Sequence, residues 1–253
     1  MNKISLLGLS MAFAALGSAQ SVITEWNFNG PSTGEVPGGT SSPTPSTGSG
    51  TASLLGVTAS FASGAATGGS SDPATGAPPN YAWNTTTYAA QGNESGQRGV
   101  MFQVATTGFT GINISFDLRH SNTSSRWMRF DYATNAAGDN WVLGTAAAGT
   151  VWEASAGGDA WYNNRGIDLA GVSAVENNPD FRFRFVSIFG PAAGPFDDGT
   201  TYTQYFAATG TSTYAGTGTL RYDMVTVEGV PEPATMTALA LGALGVLARR
   251  RRA

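Results

Sequence analysis

Residues 112–119 alternate without a break. Ile112, Ile114, Phe116 and Leu118 fall on one side, and Asn113, Ser115, Asp117 and Arg119 on the other. An extended chain sends successive side chains to opposite faces, so this rhythm makes a strand with one buried face and one wet face. The rhythm returns at residues 126–132, where Met128, Phe130 and Tyr132 oppose Trp127, Arg129 and Asp131. It is strongest at residues 181–189, where Phe181, Phe183 and Phe185 oppose Arg182 and Arg184. Strands are also expected at 22–29, 54–62, 100–105 and 220–228, with shorter ones at 141–143, 151–152 and 161–169. The segment 120–125 is short and polar, so the strands on either side of it are expected to pair as an antiparallel hairpin. No segment between residues 20 and 229 carries a 3.6-residue apolar period. About ten strands with turns between them, and no βαβ rhythm, predict an all-β antiparallel β-sandwich of the jelly-roll kind.

Two stretches interrupt the strands. Residues 30–50 are almost wholly Gly, Pro, Ser and Thr, and residues 63–80 are similarly simple. Both are expected to be loops with too little apolar surface to pack. The chain has no cysteine, so thiol catalysis, Cys-ligated zinc and disulfides are excluded. Between residues 20 and 229 there are 8 Arg, no Lys and 16 acidic residues, a net charge of −8. A mildly acidic surface of this kind does not favour nucleic acid, and no nucleic-acid partner is expected, because phosphate recognition needs clustered basic groups.

The two ends differ from this body. Lys3, the apolar residues 4–16 and the small residues Gly17-Ser18-Ala19 form the pattern of a secretory signal peptide, cut after Ala19 by signal peptidase. At the other end Pro231-Glu232-Pro233 is followed by an uncharged Ala/Leu-rich run to Ala248 and by Arg249, Arg250, Arg251 and Arg252. As a helix the 15 residues 234–248 would span about 22 Å, short against a bilayer core of about 30 Å. The arginines would remain on the cytoplasmic side. This order resembles the PEP-CTERM sorting signal of Gram-negative bacteria. The resemblance implies recognition of Pro231, Glu232 and Pro233 by a membrane enzyme of the exosortase type. It also implies a single hydrophobic helix holding the membrane before processing, with Arg249–Arg252 as its stop. The protein would be exported across the inner membrane to the cell envelope or an extracellular polysaccharide matrix. Three parts follow: signal peptide 1–19, β-sandwich 20–229 and sorting or anchor segment 230–253. The body is in turn similar to jelly-roll domains of the carbohydrate-binding type. These open on an aromatic strand, as at Trp26 and Phe28, and close on a pattern like Tyr222-Asp223-Met224-Val225.

Few residues offer chemistry. His120 is the only histidine, and Asp117 and Ser121 are near it only along the chain, so a Ser-His-Asp triad is not expected. A polysaccharide-cleaving pair of carboxylates could be drawn from Glu25, Glu94, Glu153, Glu176 and the aspartates, but spacing selects none of them. No cofactor is required. A structural calcium would suit the all-oxygen ligands: Glu25 with Asp223 if the first and last strands pair, or Asp197 with Asp198. Trp83, Trp127, Trp141, Trp152 and Trp161 are candidate sugar-stacking platforms. Trp127 shares a strand face with Arg129 and Asp131 opposite the apolar side, and is therefore expected to be exposed. The leading expectation is a non-catalytic structural or adhesive protein of an extracellular polysaccharide layer. The alternatives are a carbohydrate-binding module and a polysaccharide-cleaving enzyme.

Overall fold

A computed structural model describes residues 19–30, 36–75, 79–155 and 157–232. The expected signal peptide, the C-terminal helix, Pro233 and Arg249–Arg252 lie outside the described residues. Among the described residues thirteen strands are formed: β1 (Ser21–Trp26), β2 (Thr47–Gly48), β3 (Thr51–Leu55), β4 (Thr58–Ser63), β5 (Tyr81–Thr86), β6 (Gly99–Gln103), β7 (Phe109–His120), β8 (Trp127–Ala133), β9 (Val142–Leu143), β10 (Val151–Glu153), β11 (Ala160–Asp168), β12 (Arg182–Ile188) and β13 (Leu220–Pro231). Every pairing is antiparallel, and the strands divide between two sheets. Sheet A has the order β11-β7-β13-β1-β2, with β5 joined to β13 and β4 to β5; sheet B has the order β10-β8-β12-β6-β3, with β9 joined to β8. The expected two-sheet antiparallel sandwich is therefore present.

Its core is aromatic. Sheet B sends Phe102, Phe130, Phe183 and Phe185 inward, and sheet A answers with Trp26, Trp83, Phe116 and Tyr222, each at most 1 % exposed. The rings meet at close range: Phe116 and Phe185 have centroids 4.2 Å apart, and Phe102 and Phe183 are stacked at 5.1 Å. Such pairs add about 0.5–1.5 kcal/mol each beyond the burial of their area.

A bulge keeps β13 in phase with this core. Tyr222 and Val225 both point inward although they are three positions apart, an odd spacing, because the register to β7 shifts between Asp223 and Thr226. Met224 absorbs the extra residue with φ +47°. A single extra residue restores the alternation that would otherwise turn Val225 and Val227 to the outside.

Four expectations change. The strand expected at 54–62 is two strands, β3 in sheet B and β4 in sheet A; the chain crosses between sheets at Gly56, whose φ of +65° suits glycine. The hairpin expected between residues 112–118 and 126–132 does not form. β7 belongs to sheet A and β8 to sheet B, so 121–126 is a connection over the end of the sandwich. The first strand stops at Trp26, and Phe28 reaches the core from a positive φ of +52°. The low-complexity loops also pack. Val36 is buried, β2 pairs with β1, and the indole N–H groups of Trp26 and Trp83 donate to Pro43 O (3.1 Å) and Thr40 O (2.7 Å). A loop with few apolar side chains still offers carbonyls, and a buried indole N–H must find one.

Candidate functional site

The two outer faces of the sandwich are built differently. On sheet B the registers place Arg129 and Asp131 of β8 beside Val186 and Arg184 of β12, and Met101 of β6 beside Arg184 on its far side. Asp131 is fully buried by its neighbours and is the hub of this face. Its carboxylate accepts from Arg129 Nε (2.6 Å) and Nη2 (3.1 Å), from Arg184 Nε (2.9 Å) and from the backbone N–H of Gly144 (3.1 Å). Trp141, from the loop before β9, lies over Arg184 with the guanidinium carbon 4.1 Å from its ring centroid. Guanidinium groups stack well on indole and hold a fixed fork geometry, so Arg184 is oriented from two directions at once. The Arg129 and Arg184 side chains are 19 % and 17 % exposed, so this part of the face keeps some contact with solvent.

The other half of the same face is closed. Trp127 is only 3 % exposed, and the expectation that it is exposed is overturned. It does share a face with Arg129 and Asp131, but the segment after β12 folds back across it. Phe196 meets the indole edge-on at 5.4 Å, and the indole N–H donates to Pro191 O at 2.9 Å. Val186 and Ile188 complete this small apolar cluster. Gly190 makes the closure feasible, because a Cβ there would overlap the indole ring. The aromatic platform on the open half is Trp141. Of the other candidates, Trp83 is buried, Trp152 packs on Phe116 at 5.1 Å, and Trp161 donates its N–H to Ala66 O. Beside the open half, at the sandwich edge, Phe130, Tyr132, Val142, Leu143 and Leu169 line an apolar cleft of about 220 Å³.

On sheet A the outer face is covered by the loop between β4 and β5. Beneath it Asp117 of β7 and Asp223 of β13 stand directly opposite each other, 1 % and 0 % exposed. Asp117 accepts from the backbone N–H groups of Ser71 and Asn164, and Asp223 from Ser70 Oγ (2.6 Å) and the Met224 N–H (2.8 Å). Burial first, and then the charges of Asp72 and Asp117, hold the Asp223 carboxyl well above its ordinary range. Asn80 is buried beside it. Its Nδ2 donates to Ser70 Oγ, while among the described residues its Oδ1 meets no donor. A Cβ on Gly64 would overlap Asn80 Oδ1 and stand 2.8 Å from Asp223 Oδ2, so these oxygens converge on one small space.

The calcium ligands expected from sequence are dispersed. β1 and β13 do pair, as expected, but Glu25 lies opposite Thr226, so it does not meet Asp223. Asp197 is fully exposed and closes its own turn by accepting from the Gly199 N–H and Thr200 Oγ1, which lowers its pKa. Asp198 accepts from the Ala146 and Ala147 N–H groups and ties two loops together. Among the described residues no three His, Cys, Asp or Glu side chains converge as a metal cluster. Asp117 and Asn80, which sequence reading did not assign to a cation, are the groups that surround Asp223.

His120 faces the interior beside Tyr162, on the opposite side of β7 from Asp117, and the Ser121 Oγ accepts from the Thr219 N–H. A triad is not assembled. Burial, reinforced by the charge of Arg165, lowers the His120 pKa to about 3. The neutral ring bonds the Ser125 carbonyl at 2.9 Å, which fixes the proton on Nδ1. Of the glutamates weighed for glycoside cleavage, each has its own partner: Glu94 pairs with Arg98, Glu153 with Arg126, Glu176 accepts from the Gly111 N–H, and Glu25 lies beside Ser46.

Comparison with known proteins adds the following. Residues 229–252 match the PEP-CTERM protein-sorting motif. No curated protein matches the chain. Among solved structures the chain is similar to the CBM22-1 xylan-binding domain from Paenibacillus barcinonensis Xyn10C, with 10 % identity and a TM-score of 0.45, over 85 % of this chain and 97 % of that one. It is similar to the CBM22-1-CBM22-2 tandem of the same protein, with 12 % identity and a TM-score of 0.42; 83 % of this chain is covered, and it spans 50 % of the tandem's length. The K3 cleaved adhesin domain of Lys-gingipain from Porphyromonas gingivalis W83 matches at 13 % identity and a TM-score of 0.28, over 63 % of this chain and 79 % of that one.

Proposed function

We propose that this exported protein is sorted through its C-terminal motif and serves as a non-catalytic structural or adhesive component of an extracellular polysaccharide layer, binding the polysaccharide on the open half of sheet B. The sorting motif supports a secreted, exosortase-processed protein of the envelope or extracellular space. The observation that carries the binding reading is the Arg129–Asp131–Arg184 network with Trp141 stacked over it. Sugar recognition combines an aromatic plane with a few fixed polar groups, and this surface provides both. Each guanidinium is oriented by the shared carboxylate before a ligand arrives, so little side-chain entropy remains to be lost on binding. Affinity electrophoresis of the full-length protein through polysaccharide-containing gels tests this reading. Retardation is expected for the native protein and is expected to fall at least tenfold in Trp141→Ala. Equal retardation of the two proteins would overturn it. Substitution of Pro231, Glu232 and Pro233 by alanine is expected to block removal of the tail, read by intact mass.

A second reading concerns sheet A. Asp223 Oδ2 and the partnerless Asn80 Oδ1 converge on one space, with Asp117 opposite Asp223, and such all-oxygen groups are of the kind a hard cation such as calcium prefers. Calcium would stabilise the fold here by neutralising two adjoining carboxylates. Its removal by chelator is expected to lower the melting temperature in the native protein but not in Asp223→Asn.

A further inference from the structure

We propose that the polysaccharide bound on sheet B is anionic, and that uronic acid carboxylates dock on the outer edge of the Arg184 guanidinium with Arg129 beside it. This rests on the binding reading above and adds the class of sugar. Three of the eight arginines in residues 20–229, Arg129, Arg182 and Arg184, project from this one face, and among the described residues the only acid paired with them is Asp131. The strands of this face therefore carry two more arginines than paired carboxylates, inside a body whose net charge is −8. Composition alone would suggest that polyanions are repelled. At physiological ionic strength, however, charges more than about 8 Å away are largely screened, so the local excess governs the encounter.

The hydrogen-bond inventory points the same way. Asp131 occupies Arg184 Nε, and among the described residues no acceptor meets Arg184 Nη1 or Nη2. Trp141 holds the guanidinium plane from one side. The two terminal nitrogens thus present a parallel pair of N–H donors in a fixed plane, the fork that receives a carboxylate bidentately. Arg182 is committed differently: its Nη2 donates to Ala136 O at 3.0 Å, it pairs with no carboxylate among the described residues, and its charge adds to the field without presenting a free fork. A neutral hexose would find hydrogen bonds here but would leave the charge excess unanswered. A uronate ring can stack against the aromatic wall and answer the charge at the same time.

The test compares polygalacturonate with the same polymer after full methyl esterification, by calorimetric titration into full-length protein at two salt concentrations. Binding to the acid form at least tenfold tighter than to the ester, and weakened by salt, is the expected result. Equal affinity for acid and ester would overturn the anionic assignment and leave the binding face intact. Binding of neither polymer would overturn both readings. Tighter binding of a sulfated, uronate-free galactan than of polygalacturonate would overturn the carboxylate assignment. In Arg184→Lys, which keeps the charge but loses the fork, acid-form affinity is expected to drop about tenfold while the melting profile stays close to that of the native protein; unchanged affinity would remove Arg184 from the site.

Discussion

Both outer faces of the sandwich hold buried aspartate, one on sheet B and an opposed pair on sheet A, yet they are opposite in electrostatic design. Asp131 on sheet B is surrounded by guanidinium groups and left beside an open surface. Asp117 and Asp223 on sheet A face each other, take only neutral donors, and are sealed under a loop. A carboxylate in a low-dielectric setting is tolerated when cations or several N–H groups answer it, and like charges side by side raise its pKa. The first arrangement gives the protein a rigid, outward-facing charge pattern. The second gives it an internal site whose charge is incompletely answered by the protein itself.

The largest expected effect breaks the first arrangement. Asp131→Asn removes the shared partner of two half-buried arginines and should cost about 3 kcal/mol of stability, measured by urea unfolding at pH 7. A cost below about 1 kcal/mol would mean that the network is not what orders this face.

The next largest effect lies between the sheets. His120 is neutral in the fold down to about pH 3 but titrates near 6.5 when unfolded. A depressed histidine pKa means that the unfolded state binds the proton first, so its stability contribution is intact above about pH 6.5 and is lost as pH falls toward 3. The loss should be roughly 2 kcal/mol at pH 5. The acid limb of the stability profile should flatten in His120→Gln, and an unchanged limb would assign the acid sensitivity to other groups.

Asp223→Asn carries the opposite sign from Asp131→Asn. The raised Asp223 pKa means that the fold binds its proton more tightly than the unfolded chain, so in chelator stability should fall as pH rises above the ordinary carboxylate range. The amide removes that cost, and the variant in chelator at pH 7 should be more stable than the native protein by about 1 kcal/mol. Destabilisation there would make the two faces alike. The smallest effect is Trp141→Ala, expected to change stability by less than about 1 kcal/mol while abolishing polysaccharide retardation. That contrast separates a ligand-facing aromatic from a core aromatic.

Parity made much of this legible. The period of two at residues 112–119, 126–132 and 181–189 correctly assigned the inward phenylalanines, and it put Arg129, Asp131 and Arg184 on outward faces. What parity cannot report is which loop lies over an outward face. Trp127 is covered by a segment more than 60 residues away, and only the obligatory smallness of Gly190 marks the contact. The same limit hid the Trp141–Arg184 stack. Composition misled in another way. The loops 30–50 and 63–80 are expected not to pack because they lack apolar side chains, yet their described backbone supplies the acceptors for Trp26, Trp83 and Trp161. Gly56 in an otherwise continuous strand pattern was the visible sign of the crossover between sheets.

The position of β13 has a consequence for timing. This strand is the last among the described residues and central in sheet A, bonded to β7, β1 and β5, and its pairing continues to Pro231, within the sorting motif. An exported chain emerges from its translocation channel in order. Sheet A therefore cannot close until the final strand has come through, and the polypeptide remains threadable for almost the whole of its passage. Completion of the fold and arrival of the sorting motif at the membrane become one event. The Glu232 N–H is itself bonded to Gly108 O, so the sorting motif begins while the chain is still held against the sandwich.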